Sequence, residues 1–131
     1  MRASLILASV LCAACTVGGS PPNQPFADIP VPGAWRAYAR DSVVIQSPKV
    51  TAGKLVYFAE SPVDATLDEA RALLRGAGWT ETKTERFVNA EKFAGVWADF
   101  AKGQDYCRIM VTEGSGMQQV EITVARPNAP R

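Results

Sequence analysis

The apolar positions of this chain switch between a period near 3.6 and a period of two. From Thr66 to Trp79, TLDEARALLRGAGW, residues Leu67, Ala70, Leu73, Leu74 and Ala77 recur at helical spacing and form one stripe. Thr66 and Glu69 have the spacing of a capping box, which would satisfy free amides at the helix start. Gly78 suits the left-handed conformation that stops a helix. Trp79 then stands where a Schellman motif places an apolar residue that packs back on Leu74. A helix of about three turns cannot bury its stripe alone, so it needs a sheet to lie on.

The flanking segments supply that sheet. Ser42 to Ser47, SVVIQS, is β-branched with Val43 and Ile45 on one face, and Pro48 ends it. In Lys54 to Ala59, KLVYFA, Leu55 and Tyr57 oppose Val56 and Phe58, and residues 49–53 are expected to close a hairpin between the two. Thr80 to Phe87, TETKTERF, alternates threonine with charge and reads as a solvent-facing strand. Tyr106 to Thr112 puts Cys107, Ile109 and Val111 on one face. Gln118 to Ala125 puts Val120, Ile122 and Val124 inward and Glu121 and Thr123 outward. Glu113-Gly114-Ser115-Gly116 links these two as a hairpin loop, and Pro127 ends the ladder.

Residues Val88 to Lys102 fit two patterns. Phe93, Val96, Trp97 and Phe100 have helical spacing, with Asn89 as a cap. Val96, Ala98 and Phe100 also alternate with Trp97 and Asp99, and Gly95 precedes them, which favours a strand. The expected fold class is α+β in two layers: an antiparallel sheet of five to six strands, order ββαβββ, with one helix packed on one face.

Ahead of this unit the pattern changes. Residues 1–14, MRASLILASVLCAA, carry Arg2 and then a short apolar run. That run is too short to span a bilayer and reads as a signal peptide. It ends Leu11-Cys12-Ala13-Ala14-Cys15, which resembles the bacterial lipobox, where small residues precede a cysteine that receives diacylglycerol. The resemblance makes Cys15 the lipidation site. The usual leucine three residues before the cysteine is Cys12 here, with Leu11 one further back; bulky Leu11 makes Cys12 the poorer acceptor. An ordinary secretory signal, cut after Ala14 or near Gly19, is the other reading. Thr16 to Pro32 holds five prolines and two glycines, which excludes helix and interior strand. It reads as a tether of up to roughly 50 Å. The expected divisions are 1–14 signal peptide, 15–32 lipid-anchored tether and lead-in, 33–126 folded domain and 127–131 loose tail.

The lead-in reads Asp28-Ile29-Pro30-Val31-Pro32-Gly33-Ala34-Trp35. Its prolines cannot donate to a ladder, so it is expected along the domain's edge, with Ile29, Val31 and Trp35 plugging the end of the core. With this start, two strands, a helix ending in Gly78-Trp79 and further strands, the chain from Asp28 to about Ala125 resembles small uncharacterised bacterial envelope lipoproteins. The resemblance implies the fold and an envelope location, and carries no assigned activity.

Composition trims the remaining classes. Lys plus Arg number 14 and Asp plus Glu 13 in 131 residues; Arg2 falls in the leader, which leaves 13 of each sign. That balance argues against nucleic acid as a partner and against strong electrostatic binding to anionic lipid. The chain has no histidine, so the commonest general base and metal ligand are missing. Cys107, alternating with Ile109 and Val111, reads as a small core residue with no histidine to activate it. Asp64, Asp68, Glu69, Asp99 and Asp105 read as caps and solvated faces. No catalytic residue, metal site or cofactor is expected.

The aromatic residues are the better lead. Read as a strand, 96–100 places Trp97 away from the helix, with Tyr106 on the same outer face. Such a pair marks a partner-binding patch, or else cross-strand packing. The expected role is a non-enzymatic lipoprotein domain. It would be exported, tethered to a membrane and facing the periplasm or exterior, where it binds an envelope protein or supports an envelope assembly. The alternative is a small-molecule-binding or sensing module on the open sheet face.

Overall fold

The computed structural model describes residues 26–128. The leader, Cys12, Cys15 and the first part of the tether lie outside the described residues. Seven strands and one helix follow in chain order: β1 Arg36–Ala37, β2 Val43–Gln46, β3 Val50–Ala59, α1 Val63–Gly76, β4 Thr80–Val88, β5 Ala94–Lys102, β6 Asp105–Thr112 and β7 Gln118–Pro127. A 3-10 turn, Ala39–Asp41, joins β1 to β2.

All strand pairs are antiparallel. The sheet order is β1-β3-β7-β6-β5-β4, and β2 shares the outer edge of β3 with β1. The α+β class with one helix on one antiparallel sheet therefore holds. The expected five to six strands in the order ββαβββ do not: four strands follow the helix, and the extra β1 is a two-residue pairing, Arg36↔Phe58 and Ala37↔Tyr57, too short to leave a period. β3 begins at Val50, so the hairpin from β2 turns on 47–49 rather than 49–53. There Ser47 N–H donates to Val50 O at 2.9 Å, and Val50 N–H donates to Ser47 Oγ at 3.1 Å.

α1 starts one turn earlier than the capping-box pattern places it. Pro62 occupies the N-cap, and no side chain caps the helix. The fixed φ of proline suits the very start of a helix. Thr66 is instead buried inside it, and its hydroxyl donates to Ser61 O at 2.9 Å; Glu69 accepts from the Ser61 hydroxyl at 3.4 Å. Leu67, Ala70 and Leu74 are buried as the stripe requires, whereas Leu73 stands 37% exposed. The C-terminus is the expected Schellman motif. Gly78 has φ +91°, its N–H reaches Arg75 O at 3.1 Å, and Trp79 N–H reaches Leu74 O at 2.9 Å.

The ambiguous 88–102 stretch is a strand. Asn89 caps a hairpin loop and not a helix, accepting the Phe93 N–H on its side chain at 2.8 Å, and Lys92 takes φ 67° in the same loop. Period-two alternation along β5, β6 and β7 sends Val96, Ala98, Phe100, Cys107, Ile109, Val111, Val120, Ile122 and Val124 to one buried face. Cys107 is fully buried, and burial pushes its thiol up to about 12.

Two covers share that face. α1 lies over β4, β5 and β6. The lead-in covers the β3 end: Phe26 is wholly buried with its ring against Gly53, where an added Cβ would come within 2.6 Å, and Trp35 packs on Tyr57 with ring centroids 5.9 Å apart. Ile29 and Trp35 enter the core and Val31 packs against it, as expected; with Phe26 added, the lead-in also covers the part of the inner face that α1 does not reach.

Candidate functional site

Among the described residues, no helix lies on the opposite, outer face of the sheet. On β5, Trp97 points outward beside Met110 and Glu85 of the neighbouring strands. The guanidinium carbon of Arg108 sits 3.9 Å from its ring centroid, and Lys83 Nζ 5.4 Å. Two residues on, on the same face, Asp99 faces Arg108. Arg108 Nε donates to its Oδ1 at 2.7 Å and Nη2 to its Oδ2 at 3.0 Å, while the Tyr106 hydroxyl donates to Oδ1 at 2.9 Å. The hydrogen bond from Arg108 holds the Asp99 carboxyl below its ordinary value, against burial. Burial, then the Asp99 hydrogen bond, raises the Tyr106 phenol.

Trp97 and Tyr106 therefore do share the outer face, as the alternation predicts. They do not form an open aromatic pair. Trp97 is stacked under cations, Tyr106 is spent on Asp99, and both are half-buried. A cation over an indole at this distance contributes about 0.5–1 kcal/mol at an exposed site. The cluster steadies β4, β5 and β6 across their outer surface.

The apolar part of the outer face lies at its other end. Val43 and Ile45 of β2, Ala52 of β3 and Ala125 of β7 line a shallow hollow of about 310 Å³, with Lys54 and Thr123 at its rim. Val43 is 51% and Ile45 62% exposed. The register explains the exposure: Val43 pairs with Lys54 and Ile45 with Ala52, all on the outer face, so the face shared by Val43 and Ile45 is not the core face. The signal was present in SVVIQS, an uncharged strand in a chain whose other polar strand, TETKTERF, alternates charge.

The carboxylates are dispersed among arginines. Arg86 holds Asp64 at 2.8 Å. Arg71 holds Asp68 at 3.0 Å and Glu81 at 2.6 Å. Arg126 bridges Asp105 at 2.8 Å and Asp28 at 2.6 Å, and Lys102 lies 3.6 Å from Asp28. The backbone carbonyl of Asp28 also accepts the Trp79 indole N–H at 2.9 Å. Asp28 is a clasp that sequence patterning missed: it fastens the lead-in to β7 and to the end of the helix. Burial alone would raise its carboxyl, but the hydrogen bond and charge of Arg126 outweigh it and hold the carboxyl below its ordinary value. Asp28 and Asp105 share Arg126, and Asp68 and Glu81 share Arg71, so each of these carboxylates is engaged by a cation. Among the described residues no three His, Cys, Asp or Glu side chains are grouped to hold a metal ion. No protein-family model and no curated protein matches the chain.

Proposed function

We propose that this chain is a non-enzymatic bacterial envelope lipoprotein. It is tethered through Cys15 and binds a protein partner on the open face of its sheet. The observation that supports the binding role most directly is the asymmetry of the sheet. One face is closed by α1 and the lead-in, while the other leaves the Val43–Ile45–Ala52–Ala125 hollow in solvent. Contiguous exposed apolar surface of this kind marks interaction sites. The Trp97–Arg108–Asp99–Tyr106 cluster borders the same face as a polar region, the arrangement expected of an interface rim. The sequence's resemblance to small envelope lipoproteins and the Leu-Cys-Ala-Ala-Cys ending of the leader support the tether.

The small-molecule reading would use the same hollow. It is the weaker of the two, because ligand sites enclose most of their ligand's surface and this hollow is walled by flat strands. The buried, high-pKa thiol and the arginine-paired carboxylates speak against an enzyme.

Two experiments test the reading. Cys15→Ser should move the protein from the membrane to the soluble fraction; retention in the membrane at unchanged mobility would sink the tether. A photo-crosslinking residue at Thr123 should capture another protein in intact cells, while one on the charged edge at Lys83 should not. Equal capture at both positions would remove the outer hollow from the proposal.

A further inference from the structure

The two edges of the sheet differ in chemistry. β4 carries Glu81, Lys83, Glu85 and Arg86 and a register shift between Glu81 and Lys83. Charges and bulges are what natural edge strands use against unwanted pairing. β2 has none of these. Ser42 to Ser47 is uncharged, and all four of its strand residues are exposed. Among the described residues nothing pairs with β2 on the side away from β3.

We propose that β2 pairs with β2 of a second copy of this chain, antiparallel about a twofold axis normal to the sheet, with Val44 opposite Val44. The inference extends the partner-binding reading from the sheet face to its edge, and it holds whether or not the face takes another protein. In this register Val43 of each copy faces Ile45 of the other on the outer surface. Two exposed apolar pairs become cross-strand contacts, and the two hollows join into one strip. Charge favours the same direction. Arg40 and Asp41 lie just before the strand and offset each other, and Lys49 lies just after it, all three exposed. Antiparallel pairing sets the Lys49 end of each copy beside that balanced end of the other, whereas parallel pairing would stack lysine on lysine.

The contact closes at two copies, because each copy's β2 is used in it and the edges left free are the charged β4 and the two-residue β1 with Arg36. Phe26 is buried on the inner face, against Gly53, and a twofold axis normal to the sheet puts both copies' Phe26 on the same side, the geometry that the proposed tether asks of two copies on one membrane. Four paired residues a side is well below the area of a standard stable interface, so the dimer is reversible and concentration-dependent. Confinement of both copies to one membrane would raise their effective concentration.

The full chain carrying Val44→Cys tests the register under mild oxidation, since directly paired strand residues lie within disulfide reach. With Cys12 and Cys15 replaced by serine in all three chains, expected is a covalent dimer from Val44→Cys and none from Gln46→Cys or from the parent, whose remaining Cys107 is buried. Crosslinking of none, or of all three equally, overturns the proposal. Sedimentation of the full chain in mild detergent provides a second reading: Ile45→Lys should raise the dimer Kd by about tenfold, the loss of two symmetric apolar pairs. Ile45 is exposed, so an unchanged thermal midpoint is expected beside the lost dimer. A full chain that stays monomeric at every concentration overturns the self-pairing. Capture at Thr123 would then still decide the partner-binding reading on its own.

Discussion

Trp79→Ala and Trp97→Ala separate the two faces of the sheet most sharply. Trp79 is 2% exposed and packs in the core where the Schellman motif brings it back onto Leu74. Truncating such a ring costs about 3–5 kcal/mol. Its indole N–H also donates to Asp28 O at 2.9 Å, and losing that bond adds about 0.5–1.5 kcal/mol. The sum, roughly 4–6 kcal/mol, approaches the whole stability of a marginal domain. At a typical urea m-value of about 1–3 kcal/mol/M, the midpoint should fall by about 2 M or more, or the chain should fail to fold. Trp97 is half-buried and loses a cation stack and part of an apolar contact, about 1–2 kcal/mol. Far-ultraviolet circular dichroism against urea is the suitable assay, because each variant removes a fluorophore. If Trp97→Ala loses as much as Trp79→Ala, the assignment of inner and outer faces on β5 is wrong.

Three more outcomes follow from the same geometry. Gly78→Val should destabilise by about 1–2 kcal/mol, because φ +91° is strained for any residue with a Cβ; a change below a few tenths in the denaturant midpoint free energy would remove the left-handed stop from the account. Cys107 should react with a bulky maleimide only in denaturant, its thiol being fully buried and pushed up to about 12; rapid labelling of the native chain would contradict the register of β6. The folded-state value of Asp28 is lowered by Arg126, so its contribution is complete above the ordinary carboxylate value and is lost as pH falls below about 4. Asp28→Asn should therefore lower the denaturant midpoint at pH 7, with the gap narrowing as the pH falls below the ordinary carboxylate value; a gap that does not narrow in acid would mean that the clasp's charge contributes nothing.

What could be read from the chain alone was whatever local period and local turn chemistry determine. The Gly78–Trp79 stop, the inward face of Cys107, Ile109 and Val111, and the outward placing of Trp97 and Tyr106 all follow from residues within one turn or one strand. The misses have longer reach. The Thr66–Glu69 spacing matches a capping box, but Pro62 starts the helix earlier and Thr66 goes into the core. The lead-in looks like a proline-rich edge, yet Phe26 finds Gly53, and Asp28 finds Arg126 across 98 residues of chain. Of the two readings of Trp97 and Tyr106, a binding patch or cross-strand packing, the alternation could not choose, because period two decides which side a residue faces and not what covers it. Arg108 and Asp99, directly opposed across β5 and β6, supply that cover.

The candidate binding surface sits where the fold needs it least. The buried core draws on β3, β5, β6, β7, α1 and the lead-in, whereas β2 contributes no residue to it. β2 could therefore carry lysines or glutamates at Val43 and Ile45, as β4 does at Lys83 and Glu85, at little cost to folding: exposed substitutions of this kind usually move stability by no more than about 0.5 kcal/mol. An edge strand that keeps exposed valine and isoleucine without a core to bury them runs against the usual protection of sheet edges. A surface that would be cheap to make polar and is apolar has its physical rationale outside the isolated domain, in whatever covers it. Among the described residues the sheet topology gives that surface one free edge and one open face, side by side, so the proposed edge pairing and face binding would both use Val43 and Ile45. Substitution at Ile45 should then weaken both without unfolding the chain, whereas substitution at Thr123, two strands in from the edge, should touch the face alone.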